Sequence, residues 1–281
     1  MKTIKTIAEA KKFLKQARLQ GLTIGLVPTM GYLHEGHLTL MRECKKKCDL
    51  TVVSIFVNPL QFGPKEDFSG YPRDLGRDSS LAEGVGVDLL FCPEPQEVYP
   101  ANYSTYVDVE GLTGVLCGKS RPGHFRGVTT VVNKLFNIVR PDYAFFGQKD
   151  AQQVLVIKKM VRDLLMDLEI ITVPIVRESD GLALSSRNVY LSREERRAAL
   201  VLSLSLIMAR DAVKSGENNV ALLKDRVRQM ISAEPLARID YVEILSLPDL
   251  AEINSLEAPA LLALAVFFGK TRLIDNVVLE S

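Results

Sequence analysis

The sequence predicts an α/β protein: a doubly wound parallel sheet, followed by a smaller C-terminal α/β domain that contains an antiparallel sheet. Three observations carry this. Short runs rich in Val, Ile, Leu or Phe recur at 24–29, 50–57, 87–92, 142–146 and 169–173. Their length and unbroken apolarity suit strands buried on both faces. Helical patterns at 6–19, 37–48, 74–83, 126–139 and 151–165 precede or separate them, and strands alternating with helices build parallel sheets. After Pro174 the texture changes. Residues 193–214 and 220–231 read as helices, and 239–246, 259–268 and 272–279 then follow as strands without intervening helices. The domain boundary is expected near residue 175, giving domains 1–175 and 176–281, with a polar loop at 177–188 carried across the junction. No repeat or low-complexity segment interrupts this plan.

Composition bounds the function. The chain has 281 residues, enough for one large or two moderate domains with a sizeable core. Hydrophobic residues at 47% and charged residues at 25% are ordinary globular values, which excludes a disordered chain. A net charge of +1 offers no general attraction to nucleic acid or to an acidic membrane, so neither is expected as a partner. The amino-terminal residues lead into an amphipathic pattern rather than a signal peptide, and the most apolar stretch, 258–268, is too short to span a bilayer. The four cysteines, Cys44, Cys48, Cys92 and Cys117, fit reduced thiols in a cytoplasmic protein. Cys44 and Cys48 have helical i,i+4 spacing, which resembles half a metal site, although buried thiols account for it better.

The most informative stretch is His34-Glu35-Gly36-His37, behind Val27-Pro28-Thr29-Met30-Gly31. If a helix begins near His34, the two imidazoles share one face at its amino terminus, where N–H groups and the helix dipole attract anions. Gly31 and Gly36 remove side chains where a ribose or base could press on the backbone. A zinc protease would carry His-Glu-x-x-His with a third ligand; here the second histidine comes one residue early and no third ligand is evident. Two capping histidines at a strand–helix turn are the plain alternative. Farther on, Phe146-Gly147-Gln148-Lys149-Asp150 ends an apolar run and opens a helix, the place where open α/β sheets bind ligands. Lys149 can meet a phosphate and Asp150 a ribose hydroxyl; a polar turn with an acidic cap would read the same way. Leu184-Ser185-Ser186-Arg187-Asn188 closes the polar loop. Two hydroxyls and a guanidinium suit a triphosphate, and also an ordinary Ser-rich turn. Gln61 and Gln153 each offer an amide donor and acceptor, suitable for a small hydroxy acid. Asn58 and Gln61 follow the strand at 50–57, so both could face a pocket at its carboxyl end. His124, between Arg121 and Arg126, fits either a phosphate clamp or a structural loop.

Together these strings resemble one family. The histidine pair is similar to the signature of the HIGH superfamily, which includes nucleotidylyltransferases and class I aminoacyl-tRNA synthetases, and Ser185-Ser186-Arg187 resembles a shortened form of its second signature. Adding Phe56-Val57-Asn58-Pro59-Leu60-Gln61-Phe62, Tyr71-Pro72-Arg73, Arg121-Pro122-Gly123-His124-Phe125-Arg126-Gly127 and Gln152-Gln153, the set is similar to the pantoate–β-alanine ligase family and covers nearly all of 24–192. The resemblance implies a Rossmann-like fold, a typically homodimeric cytoplasmic enzyme, and the ATP-dependent joining of pantoate and β-alanine through a pantoyl adenylate, a step toward coenzyme A. It implies that His34, His37, Lys149 and Arg187 act on the reacting phosphate, with His37 the better candidate for proton transfer. It places ATP against Met30, Gly31, Tyr32, Leu33, His34, Glu35, Gly36, His37, Gly147, Gln148, Lys149, Asp150, Val176, Leu184, Ser185, Ser186 and Arg187. It assigns pantoate to Gln61, Gln153 and Asn58, and β-alanine to Gln61.

Magnesium is expected with ATP, held largely by phosphates and water. The family often has acidic residues after Tyr-Pro-Arg near this metal. Here Asp78 is retained, whereas Arg77 replaces an acid found in some members. Leu184 stands where methionine is common, a swap of similar volume. A nucleotidylyltransferase acting on a phosphorylated acceptor shares the histidine pair, but the paired glutamines argue against it. A small synthetase-like protein would need a basic tail or an anticodon module. A non-catalytic ATP-binding domain would leave the acceptor residues unexplained.

Overall fold

The computed structural model describes residues 1–64, 66 and 68–280. In chain order the elements are β1 (Lys2–Ile4), α1 (Ile7–Leu19), β2 (Ile24–Thr29), α2 (Glu35–Lys47), β3 (Leu50–Ile55), α3 (Leu75–Val85), β4 (Leu89–Phe91), α4 (Pro95–Val98), α5 (Leu116–Ser120), α6 (His124–Val139), β5 (Tyr143–Gly147), α7 (Ala151–Asp163), β6 (Glu169–Val173), α8 (Arg193–Ala198), α9 (Leu200–Lys214), α10 (Val220–Ser232), β7 (Ala237–Ser246), β8 (Ala260–Phe268) and β9 (Thr271–Leu279). Short 3-10 turns sit at Pro59–Gln61, Gln148–Asp150 and Ser186–Tyr190. The chain forms two compact units. One comprises Met1–Glu110, Arg121–Gln148 and Gln153–Pro174; the other comprises Gly111–Ser120, Lys149–Gln152 and the chain from Ile175 onward. Two short excursions therefore accompany the crossing at Pro174, an arrangement that division at a single residue does not describe.

The first unit is built on a six-stranded sheet of order β1-β4-β3-β2-β5-β6, parallel throughout. Adjacent residues Leu26 and Val27 of β2 are both fully buried, as a strand covered on both faces requires. On one face, Leu38, Met41 and Cys44 of α2 and Ala82 of α3 pack with Val27, Val53, Leu90 and Phe145 from the strands. The chain leaves β2 for β3 and β4 on one side and returns on the other side as β5 and β6. The β2–β5 boundary is thus the switch point at which open sheets of this kind bind ligands, beyond the carboxyl ends of the strands. β1 escaped the sequence reading because Lys2-Thr3-Ile4 is too short to show a period, yet it pairs with β4.

The second unit carries the antiparallel sheet β7-β8-β9. Alternate residues Leu262, Leu264 and Val266 of β8 pack against Leu202 and Leu206 of α9 and Leu223 and Val227 of α10. The expected helix over 193–214 is two helices. Ala199 caps both, and the Leu202 N–H bonds the Ala199 carbonyl in a tight three-residue turn that no proline or glycine announces. Among the described residues no helix is long and apolar enough to cross a membrane. The four cysteines are free thiols, all buried.

Candidate active site

The turn after β2 is assembled from its own residues. Thr29 donates its hydroxyl to the Ser54 carbonyl (2.8 Å) and accepts the Gly31 N–H (3.1 Å). Gly31 has φ +83°, and a Cβ there would lie 2.9 Å from both Asp78 Oδ2 and Ile55 Cγ2, so only glycine fits. Tyr32 is also left-handed, at φ 49°. That conformation is held by Asp78, whose Oδ2 accepts the Tyr32 N–H and whose Oδ1 accepts the Leu33 N–H, each at 2.7 Å. Asp78 is 1% exposed. Burial pushes its carboxyl above the usual range, opposed by those two N–H groups and by Arg77. The acid expected nearest a metal is therefore a scaffold for the turn. Among the described residues no group of three or more His, Cys, Asp or Glu is placed to hold a metal ion.

α2 starts where the histidine spacing predicts. His34 is its N-cap, and its Nδ1 accepts the Gly36 N–H (3.2 Å), while His37 Nδ1 accepts the His34 N–H (3.3 Å). The capping alternative is therefore realised, and it engages the Nδ1 atom of each ring. An acceptor Nδ1 cannot carry a proton, so each neutral ring bears its N–H on Nε2, on the side away from the helix backbone. The ring centroids are 4.0 Å apart. Two N–H donors thus converge at the positive end of a helix whose last turn holds Lys45, Lys46 and Lys47. The Glu35 carboxylate is paired with Arg42 along the exposed side of α2. Any contact of Glu35 with a nucleotide would therefore come from its backbone.

The turn after β3 holds the expected acceptor residues. Asn58 is 1% exposed and fully engaged. Its Nδ2 donates to Gln61 Oε1 (3.1 Å) and the Gly127 carbonyl (3.0 Å), and its Oδ1 accepts from Tyr99 Oη (2.7 Å) and from the Leu60 N–H (3.4 Å). Asn58, expected to contact pantoate, also orients Gln61. Gln61 Nε2 points to Met30 Sδ at 3.1 Å. A thioether is a weak acceptor, so this N–H is the part of the amide that a hydroxy acid can claim. Gly147 closes β5 with no atom within 4 Å of where its Cβ would stand, which keeps that surface open beside the switch point. Gln148 follows it, and Gln153 is half-buried on the first turn of α7.

The remaining expected residues belong to the second unit. Lys149 Nζ is 3.9 Å from Asp150 Oδ1, and the Lys149 carbonyl accepts Asn276 Nδ2 (2.9 Å). The polar loop is a small hairpin: Arg177 bridges Ala183, the Leu184 N–H bonds the Val176 carbonyl (3.0 Å), and the Glu178 N–H bonds the Leu182 carbonyl (2.8 Å). Arg177 anchors it through two bonds to buried Asp275, 2.6 and 2.9 Å long. Ser185 then caps the turn Ser186–Tyr190 by accepting the Arg187 N–H (3.2 Å), so its own O–H can still donate. Buried Gln152 straps the 111–120 excursion, donating to the Leu112 and Val115 carbonyls and accepting the Cys117 N–H. Asp275 and Asn276 carried no sequence signal, because they lie in an otherwise ordinary strand pattern.

The comparisons with known proteins bear on this arrangement. The family model described as pantoate-beta-alanine ligase matches residues 2–278. The chain belongs to the pantoate–β-alanine ligase family. It is 66% identical over 274 residues to a pantothenate synthetase of Pelotomaculum thermopropionicum, covering 98% of this chain and 97% of that protein. The crystal structure of pantothenate synthetase from Thermus thermophilus superimposes with a TM-score of 0.94 at 47% identity, covering 99% of each chain. The pantoate-beta-alanine ligase of Francisella tularensis, solved in complex with beta-gamma ATP and beta-alanine, gives 0.82 at 33% identity over 99% of this chain and 97% of that one. Ligase family members thus share the whole length of the chain, both units included.

Proposed function

We propose that the protein condenses pantoate with β-alanine, converting ATP to AMP and pyrophosphate. The observation that carries this reading is the pair of imidazole Nε2–H donors at the head of α2, which follows β2 beside the switch point. A carboxylate oxygen of pantoate attacks the α-phosphorus and pyrophosphate leaves. The amine of β-alanine then attacks the mixed anhydride at its carbonyl carbon, and AMP leaves with the oxygen that joined the two. No protein nucleophile is needed; positioning and charge stabilisation suffice.

In this scheme His34 and His37 donate to phosphate oxygens, and His37 also assists the transfer of the proton that the β-alanine nitrogen loses as the amide forms. Lys149 and Arg187 balance charge on the transferring phosphate, and Ser185 and Ser186 donate to the departing pyrophosphate. Met30 to Gly36, Gly147 and Gln148 offer backbone to the nucleotide, Asp150 takes a ribose hydroxyl, and Val176 and Leu184 contribute main-chain contacts. Gln61 and Gln153 bind pantoate, and Gln61 also borders the β-alanine position. Magnesium accompanies ATP through phosphate oxygens and water, without a protein cage among the described residues. The enzyme works in the cytoplasm as a homodimer. The test is product analysis of the complete mixture: AMP, pyrophosphate and pantothenate in equal amounts are expected, and ADP with phosphate overturns the reading.

A further inference from the structure

The Arg121-Pro122-Gly123-His124-Phe125-Arg126-Gly127 string finds no place in the phosphate chemistry. Two of its side chains, Arg121 and His124, bond to the backbone of the acceptor turn. Arg121 donates from Nε to Glu66 Oε1 (2.7 Å), from one terminal nitrogen to Glu66 Oε2 (2.5 Å) and to the Gln61 carbonyl (3.3 Å), and from the other to His124 Nε2 (3.0 Å). His124 Nδ1 lies 2.9 Å from the Gln61 carbonyl. A guanidinium has only donors, so His124 Nε2 must accept, and the ring's proton must sit on Nδ1 to satisfy the carbonyl. Gly127 completes the contact. A Cβ there would stand 2.6 Å from the Gln61 nitrogen and closer still to the Leu60 carbonyl oxygen. Burial would raise the Glu66 carboxyl, but hydrogen bonding and charge from Arg121 hold it below the usual range, so the ion pair is intact at neutral pH.

We propose that His124 is a positioning residue for the acceptor pocket: as the neutral Nδ1–H tautomer, it links the Glu66–Arg121 ion pair to the Gln61 carbonyl and so fixes the turn from which Gln61 reaches pantoate. This rests on the reading of Gln61 given above. The chain has only three histidines, and their geometry divides them: His34 and His37 carry the proton on Nε2, His124 on Nδ1.

Long-range proton–nitrogen NMR of the histidine-labelled protein at neutral pH reads this division directly. Two Nε2–H rings and one Nδ1–H ring are expected, the last lost in His124→Asn. Steady-state kinetics follow on variants matched for melting temperature. His124→Ala is expected to raise the KM for pantoate about tenfold, the scale of one neutral hydrogen bond, with the KM for ATP unchanged. His124→Asn, whose amide N–H sits at the Nδ1 position, restores most of that loss, and His124→Gln does not. An Nε2–H or doubly protonated His124 ring overturns the proposal, as does an asparagine variant no better than the alanine one. A pantoate KM moved by Gln61→Ala but not by His124→Ala overturns the proposal alone. A KM moved by neither overturns the Gln61 reading as well.

Discussion

The two units hold their site residues by different means. In the first, the turns after β2 and β3 are fixed chiefly by single side chains that bond to backbone and by glycines at points of closest approach, through Thr29, His34, Asn58, Asp78, Gly31 and Gly127, with one ion pair, Arg121 to Glu66, bracing the Gln61 carbonyl. In the second, the hairpin before Ser185 is fixed by charge, through Arg177 to Asp275 and Arg196 to Glu178 and Asp180. A site built by steric fit fails when an atom is added. One built on ion pairs fails when a charge is removed, and only its exposed members respond to salt.

Substitutions can break or sharpen that contrast. His37→Ala removes a donor and one capping acceptor of α2 without adding bulk, so the fold should persist and ATP should still bind, though more weakly. Adenylate formation should fall roughly 10²- to 10³-fold, the scale of a lost transition-state donor; single-turnover rates within tenfold of the parent would take His37 out of the mechanism. In the second unit, Asp275→Asn leaves the Arg177 guanidinium without its buried partner and should lower stability by about 3 kcal/mol, with a raised KM for ATP. Denaturant unfolding checks the first effect and initial rates the second. Equal damage to pantoate and ATP kinetics would mean the hairpin does not serve the nucleotide. Gly127→Ala adds one methyl group against the backbone of Leu60 and Gln61 and should destabilise by about 1–3 kcal/mol, as overpacking does. It should weaken pantoate, whereas an unaltered melting point would show that the turn yields easily. Gln61→Ala should raise the KM for pantoate about tenfold and leave ATP nearly unmoved, one hydrogen bond being at stake. Leu184→Met, a swap of similar volume on the hairpin, should shift stability by less than about 1 kcal/mol and leave rates unchanged.

The same contrast explains what was legible in the sequence. The runs at 24–29 and 169–173 match their strands to the residue; the first is buried on both faces, and the second, at the sheet's edge, is marked by its β-branched residues between turns. The apolar pattern places this helix at 37–48, two residues late, whereas the His34/His37 spacing locates its start; His34 is an unusual N-cap, Ser, Thr, Asp and Asn being the familiar ones. Residues that touch backbone through long-range bonds left no local pattern. Asp78 reads only as an acid that the family keeps near its metal, and the fold brings it under Tyr32 and Leu33. Asn58 sits in a motif, yet two of its four hydrogen bonds are to Tyr99 and Gly127, far off in sequence. Asn276 and Asp275 lie in a strand whose alternation predicts an element and says nothing about partners. Sequence patterns reported which segments are buried, while three-dimensional closure decided which polar groups work and which support them.

In the proposed reaction, pantoate's own carboxylate oxygen joins the α-phosphorus. Pantoate labelled with 18O in its carboxylate, turned over with ATP and β-alanine, tests it at the atom concerned. Mass spectrometry of the products should find one labelled oxygen in AMP and one in the amide carbonyl of pantothenate. AMP without label, or label in phosphate or pyrophosphate, would contradict the account.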